Sequence, residues 1–308
     1  MNLKNKEYLD TFLEYLKTER RYSDNTLLAY GNDIKEYMDF LEENEFGDVD
    51  DVSDRIAEFY MGDIRDKYNP RSIQRKSSSL KTFYNYFVDN QKLFEKNPFL
   101  GIALPKVEKR LPKFVYDDEV NEFLSSIDTS TDSGKRDKLI FELLYGSGLR
   151  VSELTSMRLK DVDIESRRIL IHGKGSKDRI VPMTKDAQED FKTYIIVARP
   201  TLLARSKNIE NDIVFLNFHG GSLTSRGVRD ILNRVLEETS STMKVSPHAF
   251  RHSFATHLLN NGMDVRMVQE LLGHSNLSTT QIYTKISKES LQAQYNKAFP
   301  KGKDHKDD

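Results

Sequence analysis

The chain reads as a mainly α protein of two domains, with a small antiparallel sheet confined to the second. Apolar residues recur at three- and four-residue spacing through residues 1–92, which predicts packed helices. Prolines at 98, 105 and 112 then interrupt the chain, and the paired strand patterns RRILIHG and KDRIVPM break an otherwise helical second half. A length of 308 residues suits two domains at about 100–200 residues each. The expected division is a helical domain over 1–92, a linker over 93–113, a second domain over 114–299 and a disordered tail over 300–308, most of it the charged run KGKDHKDD.

Four helices are expected in the first domain. The second is the clearest: Ser23 supplies a cap, and Leu27, Tyr30, Ile34, Met38 and Leu41 recur on one face. The third follows Ser53, with Ile56, Phe59, Tyr60 and Ile64 on its apolar side. The fourth opens at Tyr68-Asn69-Pro70, a cap followed by a proline at the first helical position. At about 100° per residue, its Ile73, Leu80, Phe83, Tyr84 and Phe87 share one side. Arg71, Arg75, Ser78 and Thr82 line the other, with Lys81 at the edge. Arg, Lys, Ser and Thr donate to phosphate oxygens without reading bases, so this face suits a DNA backbone; a solvated helix face is the plainer alternative. The linker adds Lys106, Lys109 and Arg110, in a basic run that ends at Lys113 and is long enough to wrap around a partner; a merely extended connector is the plainer alternative.

In the second domain, helices are expected near 117–127, 135–145 and 151–159. A hairpin turning at Lys174-Gly175-Ser176 comes next. Amphipathic helices over 184–198 and 225–239 flank a short strand, DIVFLN. Helices near 247–260, 264–272, 277–285 and 287–299 complete the chain, with Gly262 and Gly273 as stops.

Composition narrows the function. Acidic and basic residues nearly balance, 48 against 47, so any nucleic-acid role rests on local clusters and not on bulk charge. With no Cys there are no disulfides, thiolate metal sites or Cys nucleophile. The charged N-terminus and the absence of any run near the roughly 20 apolar residues of a spanning helix point to a cytoplasmic protein with no membrane insertion. The segment HGKGSK leads from strand to strand, which a phosphate-binding glycine loop does not, and no nucleotide site is supported. His248 and His252 stand four apart on one helix, but no Glu follows His248 as a zinc-protease helix requires. Neither a metal nor a cofactor is expected.

A different constellation is more informative. In Pro247-His248-Ala249-Phe250-Arg251 an imidazole and a guanidinium stand one turn apart at a helix start, where free N–H groups also favour anions. Upstream, Gly148-Leu149-Arg150-Val151-Ser152-Glu153 puts an Arg at a helix start with a Glu three residues on that can orient it. Downstream come Leu271-Leu272-Gly273-His274 and Gln281-Ile282-Tyr283-Thr284. Taken singly, each has an ordinary structural explanation; their joint order does not.

The segments YGSGLRVSEL, IHGKGSKDRIVP, SPHAFRHSFATHLL and LLGHSNLSTTQIYT resemble, in order, the tyrosine site-specific recombinases, the phage integrase family. The whole chain is similar to the Xer branch, of the kind found in low-GC Gram-positive bacteria, and RRYSDNTLLAY and IQRKSSSLKTFYNYF resemble that branch's N-terminal domain. The resemblance implies a four-helix SAM-like core-binding domain followed by a mostly helical catalytic domain. Carried over residue by residue, it implies Arg150, Lys174, His248, Arg251 and His274 as the catalytic set and Tyr283 as nucleophile. It further implies double-stranded DNA as substrate, a second Xer-type recombinase as partner, and a cyclic tetramer on two sites. In that tetramer each last helix, here carrying Leu291, Tyr295, Ala298 and Phe299, docks on a neighbour. The expected function is resolution of chromosome dimers at cell division. A plasmid or phage integrase, a type IB topoisomerase and a catalytically silent DNA-binding protein are the alternatives.

Overall fold

A computed structural model describes residues 2–106, 115–173, 178–207, 210–239, 245–273 and 288–299, excepting the side chains of 288–291. The chain divides into two compact units, Met1–Arg110 and Leu111–Asp308.

The first unit holds α1 (Leu3–Thr18), α2 (Asp24–Glu43), α3 (Asp54–Lys67) and α4 (Pro70–Asn85), the last running on through a π turn at Tyr86–Asn90. Each start is capped by a side-chain oxygen on the third residue's N–H: Asn2, Ser23, Ser53 and Asn69. Ile34, Met38 and Leu41 of α2 and Ile73, Leu80, Phe83, Tyr84 and Phe87 of the fourth segment are buried as their spacing requires. Rings meet edge to face inside, Tyr37 on Tyr60 at 4.8 Å and Phe83 on Phe87 at 5.0 Å. Phe59 departs from expectation. It is 55% exposed, because Ala57, Tyr60, Met61 and Ile64 form the inward stripe of α3 and leave Phe59 at its margin against Phe40 and Phe46.

Residues 93–106, placed by the sequence in the linker, pack on this helical unit. Phe94 and Phe99 enter its core. Asn97 donates to the Lys81 carbonyl at 3.0 Å, Arg65 to Ala103 at 3.0 Å and Gln74 to Pro105 at 2.9 Å. Backbone turns, Leu100 N–H to Asn97 and Ile102 N–H to Phe99, and these side-chain donors together tie the segment down without a helix. Residues 107–113 and the tail from 300 lie outside the described residues.

The second unit is built on α6 (Asp132–Gly146), whose residues from Leu139 to Gly146 are all buried. Around it stand α5 (Asp117–Ser125), α7 (Val151–Ser156), α8 (Lys185–Thr193) with its π continuation Tyr194–Ala198, and α9 (Arg199–Leu203). The remaining helices are α10 (Ser225–Glu238), α11 (Pro247–Asn260), α12 (Val265–Leu272) and α13 (Lys288–Ala298). The antiparallel sheet runs β1 (Val162–Asp163), β2 (Arg168–Ile171), β3 (Arg179–Pro182), with Val162 opposite Ile169 and Ile171 opposite Arg179. Strand β1 was not visible in the sequence; two residues leave no period to detect.

The expected strand DIVFLN is instead an irregular segment touching others through isolated bridges, Ile213 with Arg158 and Leu216 with Ser222. Two of its central carbonyls are taken by side chains: Arg199 donates to Ile213 at 2.8 Å, and the Tyr194 hydroxyl to Val214 at 3.0 Å. The expected helix over 277–285 lies outside the described residues. The last helix packs on its own unit in the single chain. Tyr295 and Phe299 are fully buried, and the Tyr295 hydroxyl donates to the Gly146 carbonyl at 2.7 Å. No helix among the described residues is long and apolar enough to cross a membrane.

Candidate active site

The site forms where the N-terminus of α7, strand β3, α11 and the end of α12 converge on one carboxylate. Glu153, in the first turn of α7, accepts the Arg150 backbone N–H at 2.8 Å on Oε2 and Arg150 Nη1 at 2.7 Å on Oε1. Arg179, the first residue of β3, meets the same carboxylate with a two-pronged fork, Nη1 to Oε1 and Nη2 to Oε2, both 2.9 Å. From α11, Arg251 brings Nη1 within 3.8 Å of Oε2. One mostly buried acid is thus ringed by three guanidinium groups.

The end of α12 supplies the other half of the cage. The last carbonyls of a helix have no partner inside it and carry its negative dipole end. Three consecutive ones each take an arginine: Leu271 accepts Arg179 Nε at 2.7 Å, Leu272 accepts Arg251 Nη2 at 2.5 Å, and Gly273 accepts Arg150 Nη2 at 3.2 Å. Arg251 Nη1 also donates to the Gly148 carbonyl. Both glycines are required. Gly273 ends α12 at φ +62°, and a Cβ there would come within 2.9 Å of the Arg179 guanidinium. Gly148, at φ +61°, would drive a Cβ to 2.3 Å from the Phe254 ring.

The electrostatics follow from this geometry. Burial pushes the Glu153 carboxyl up, but the Arg179 side chain and the Arg150 backbone N–H outweigh it and hold the group at about 2. Burial, with Arg150 beside it, brings Arg251 down to about 10, still a cation at neutral pH. Exposure separates the three cations. The side chains of Arg179 and Arg251 are 9% and 6% exposed, whereas Arg150 is 42% exposed and faces outward. Three cations against one anion leave a surplus positive charge suited to a phosphodiester.

Of the residues singled out from sequence, Arg150, Arg251 and Glu153 meet here. His248 lies in the first turn of α11, one turn before Arg251, and is exposed. Lys174, His274 and Tyr283 lie outside the described residues. Among the described residues no three His, Cys, Asp or Glu side chains are grouped to hold a metal ion. Arg179 is the residue that sequence reasoning passed over. A signal was available: it alternates with the buried Val181 on one face of β3, and a cation on a core-facing position needs a buried acid.

On α4, Arg71 and Ser78 are exposed and Lys81 is half-buried, while Lys106 is exposed beyond the helix. Arg75 is paired with the buried Asp33 and shares it with Lys76. Lys109 and Arg110 lie outside the described residues.

Comparison with known proteins accords with this fold. Residues 113–290 match the phage integrase family and residues 9–91 the phage integrase N-terminal SAM-like domain. The chain belongs to the phage integrase family, and its activity is site-specific DNA recombination by a tyrosine recombinase. It is 42% identical over 297 residues to the tyrosine recombinase XerC of Bacillus subtilis (strain 168), covering 96% of this chain and 97% of that one. It is also 42% identical to XerC of Lacticaseibacillus casei (strain BL23), covering 94% and 97%. Among solved structures, the XerH site-specific recombinase bound to difH substrate before cleavage superposes with a TM-score of 0.66 at 21% identity, covering 87% of this chain and 79% of that one. The Tn1549 transposon integrase in complex with circular intermediate DNA gives 0.65 at 22% identity, covering 93% and 98%.

Proposed function

We propose that the chain cuts and rejoins duplex DNA through a 3′-phosphotyrosyl intermediate on Tyr283, and that it resolves chromosome dimers in the cytoplasm at cell division together with a second Xer-type recombinase. The observation that carries the proposal is the guanidinium cage around Glu153, which holds more positive than negative charge beside the helix bearing His248.

A tyrosine hydroxyl with a reference pKa of about 10 is ionised to roughly one part in a thousand at pH 7, a deficit of about 4 kcal/mol. His248 accepts the phenol proton as general base. Arg150 and Arg251 neutralise the nonbridging oxygens as the phosphorus becomes five-coordinate; guanidiniums already fixed by Glu153 and helix carbonyls need no reorganisation at that moment. Lys174 protonates the departing 5′ hydroxyl, and His274 holds the phosphate or Tyr283. The phosphotyrosyl bond keeps the energy of the phosphodiester, so a 5′ hydroxyl from a partner duplex reseals it without ATP or a cofactor.

Arg71, Arg75, Ser78 and Lys81 of α4 and Lys106, Lys109 and Arg110 after it contact the DNA backbone. On DNA, four protomers synapse two sites as a cyclic tetramer, and α13 exchanges its docking on Gly146 for a neighbour's surface. The test is incubation of wild type and Tyr283→Phe with a labelled, nicked duplex carrying a candidate terminus-proximal site, then denaturing electrophoresis. A slow-migrating adduct with wild type only is expected; an adduct with Tyr283→Phe refutes the nucleophile.

A further inference from the structure

We propose that Arg179 is a positioning residue for DNA cleavage: its guanidinium grips Glu153 and the Leu271 carbonyl together, and so sets Arg150 and the end of α12 in register for the scissile phosphate. This role rests on Arg150 and Arg251 being the phosphate ligands.

All three guanidinium nitrogens of Arg179 are occupied within the protein, at 2.7 Å to Leu271 and 2.9 Å to each Glu153 oxygen. Three of its five N–H groups are spent on these partners, and with 9% of its side chain exposed it offers a substrate little access. It is therefore no phosphate ligand itself. Its partners are the groups that fix the ligands. Glu153 holds both the backbone and the side chain of Arg150. The carbonyls after Leu271, those of Leu272 and Gly273, hold Arg251 and Arg150.

Removing Arg179 unties the carboxylate from the helix end. Glu153 is then left to draw Arg150 and Arg251 toward itself, and a displacement of about 1 Å at a reacting phosphate costs about 10²-fold in rate. A lysine cannot replace it, because an ammonium is a point charge without the planar fork that spans both carboxylate oxygens.

The test is single-turnover adduct formation on the same nicked duplex, with affinity measured in parallel by gel shift. Arg179→Gln is expected to slow adduct formation about 10²-fold at unchanged Kd. Arg179→Lys recovers only part of that rate. Arg179→Gln combined with Glu153→Gln cleaves no more slowly than Glu153→Gln alone, since one acts through the other. Wild-type cleavage by Arg179→Gln, a loss that appears in Kd instead of rate, or effects that multiply in the double variant each overturn the role. If Arg179→Gln does not fold, Arg179→Lys decides: slowed cleavage at unchanged Kd supports it, and the wild-type rate overturns it. Failure of the wild-type protein to form any adduct sinks the phosphate-ligand assignment beneath it, whereas equal cleavage by wild type and Arg179→Gln sinks only this role.

Discussion

Asp33, buried in the first unit, and Glu153, mostly buried in the second, are both acids met by arginine, yet their surroundings close differently. Asp33 shares Lys76 with Glu36, at 3.3 Å and 2.6 Å, and takes Arg75 and the Ser79 hydroxyl as well. Tyr68 completes that network, its hydroxyl donating to Glu36 at 3.1 Å and its ring lying 4.4 Å under the Lys76 ammonium. Two acids there meet two bases. Around Glu153 one acid meets three guanidiniums, and the charge does not close. A network that neutralises itself holds helices together; one that keeps a surplus is able to take an anion, as the proposed function requires. Arginine in both places shows that residue type alone does not separate the two uses.

Removing cations from each network in turn separates the two roles. Arg150→Ala and Arg251→Ala should each slow adduct formation by about 10³–10⁵-fold, by analogy with phosphoryl-transfer arginines. Arg251→Lys serves as a control for folding, since that side chain is buried. Single-turnover gels on the nicked duplex measure both, and a loss under tenfold would place the surplus charge outside the chemistry. Lys76→Met should instead destabilise the first unit by about 3 kcal/mol, because it strips a buried carboxylate of a partner. Urea unfolding reads that loss, and cleavage of bound DNA at saturating protein should stay within a few-fold of wild type.

Acid titration sharpens the contrast further. The Glu153 carboxyl is lowered from 4.5 to about 2 in the folded protein, so its contribution is fully present above the unfolded value and is lost as pH falls through the folded one. The stability gap between wild type and Glu153→Gln should therefore be constant above pH 5 and shrink between roughly pH 4.5 and pH 2. A gap that persists at pH 2 would mean the charge of Glu153 is not what matters.

The smallest effect concerns α4. Arg71→Ala should reduce the slope of log affinity against log salt by about 0.9, the loss of one phosphate contact. Arg75→Ala should reduce it less, because Arg75 is already committed to Asp33. Equal slopes for the two variants would show that Arg75 leaves Asp33 on binding DNA.

Much of this was legible in the sequence because it is local. Ser23, Ser53 and Asn69 cap helices by reaching the third residue's N–H, and the α4 stripe from Ile73 to Phe87 is buried as its 3.6-residue period demands. Arg150 and Glu153, three apart at a helix start, were within reach of each other in sequence and pair in the fold. What failed was non-local. DIVFLN has strand composition, but Arg199 and Tyr194 take carbonyls a ladder would have used. Phe94 and Phe99 sit in a proline-punctuated stretch, and only the first unit's core makes them interior residues.

Most of the described helices, the caps at Ser23, Ser53 and Asn69, the β2–β3 pairing and the family follow from the order of residues, since capping, periodicity and motif order are properties of neighbours along the chain. Only the tertiary structure decided that Arg179, 26 residues from Glu153 and 92 from Leu271, closes the cage. It also decided that the end of α12 spends three successive carbonyls on three arginines. The reason is physical: a buried charge must find a partner in space, and space is what the order of residues leaves open until the core has packed.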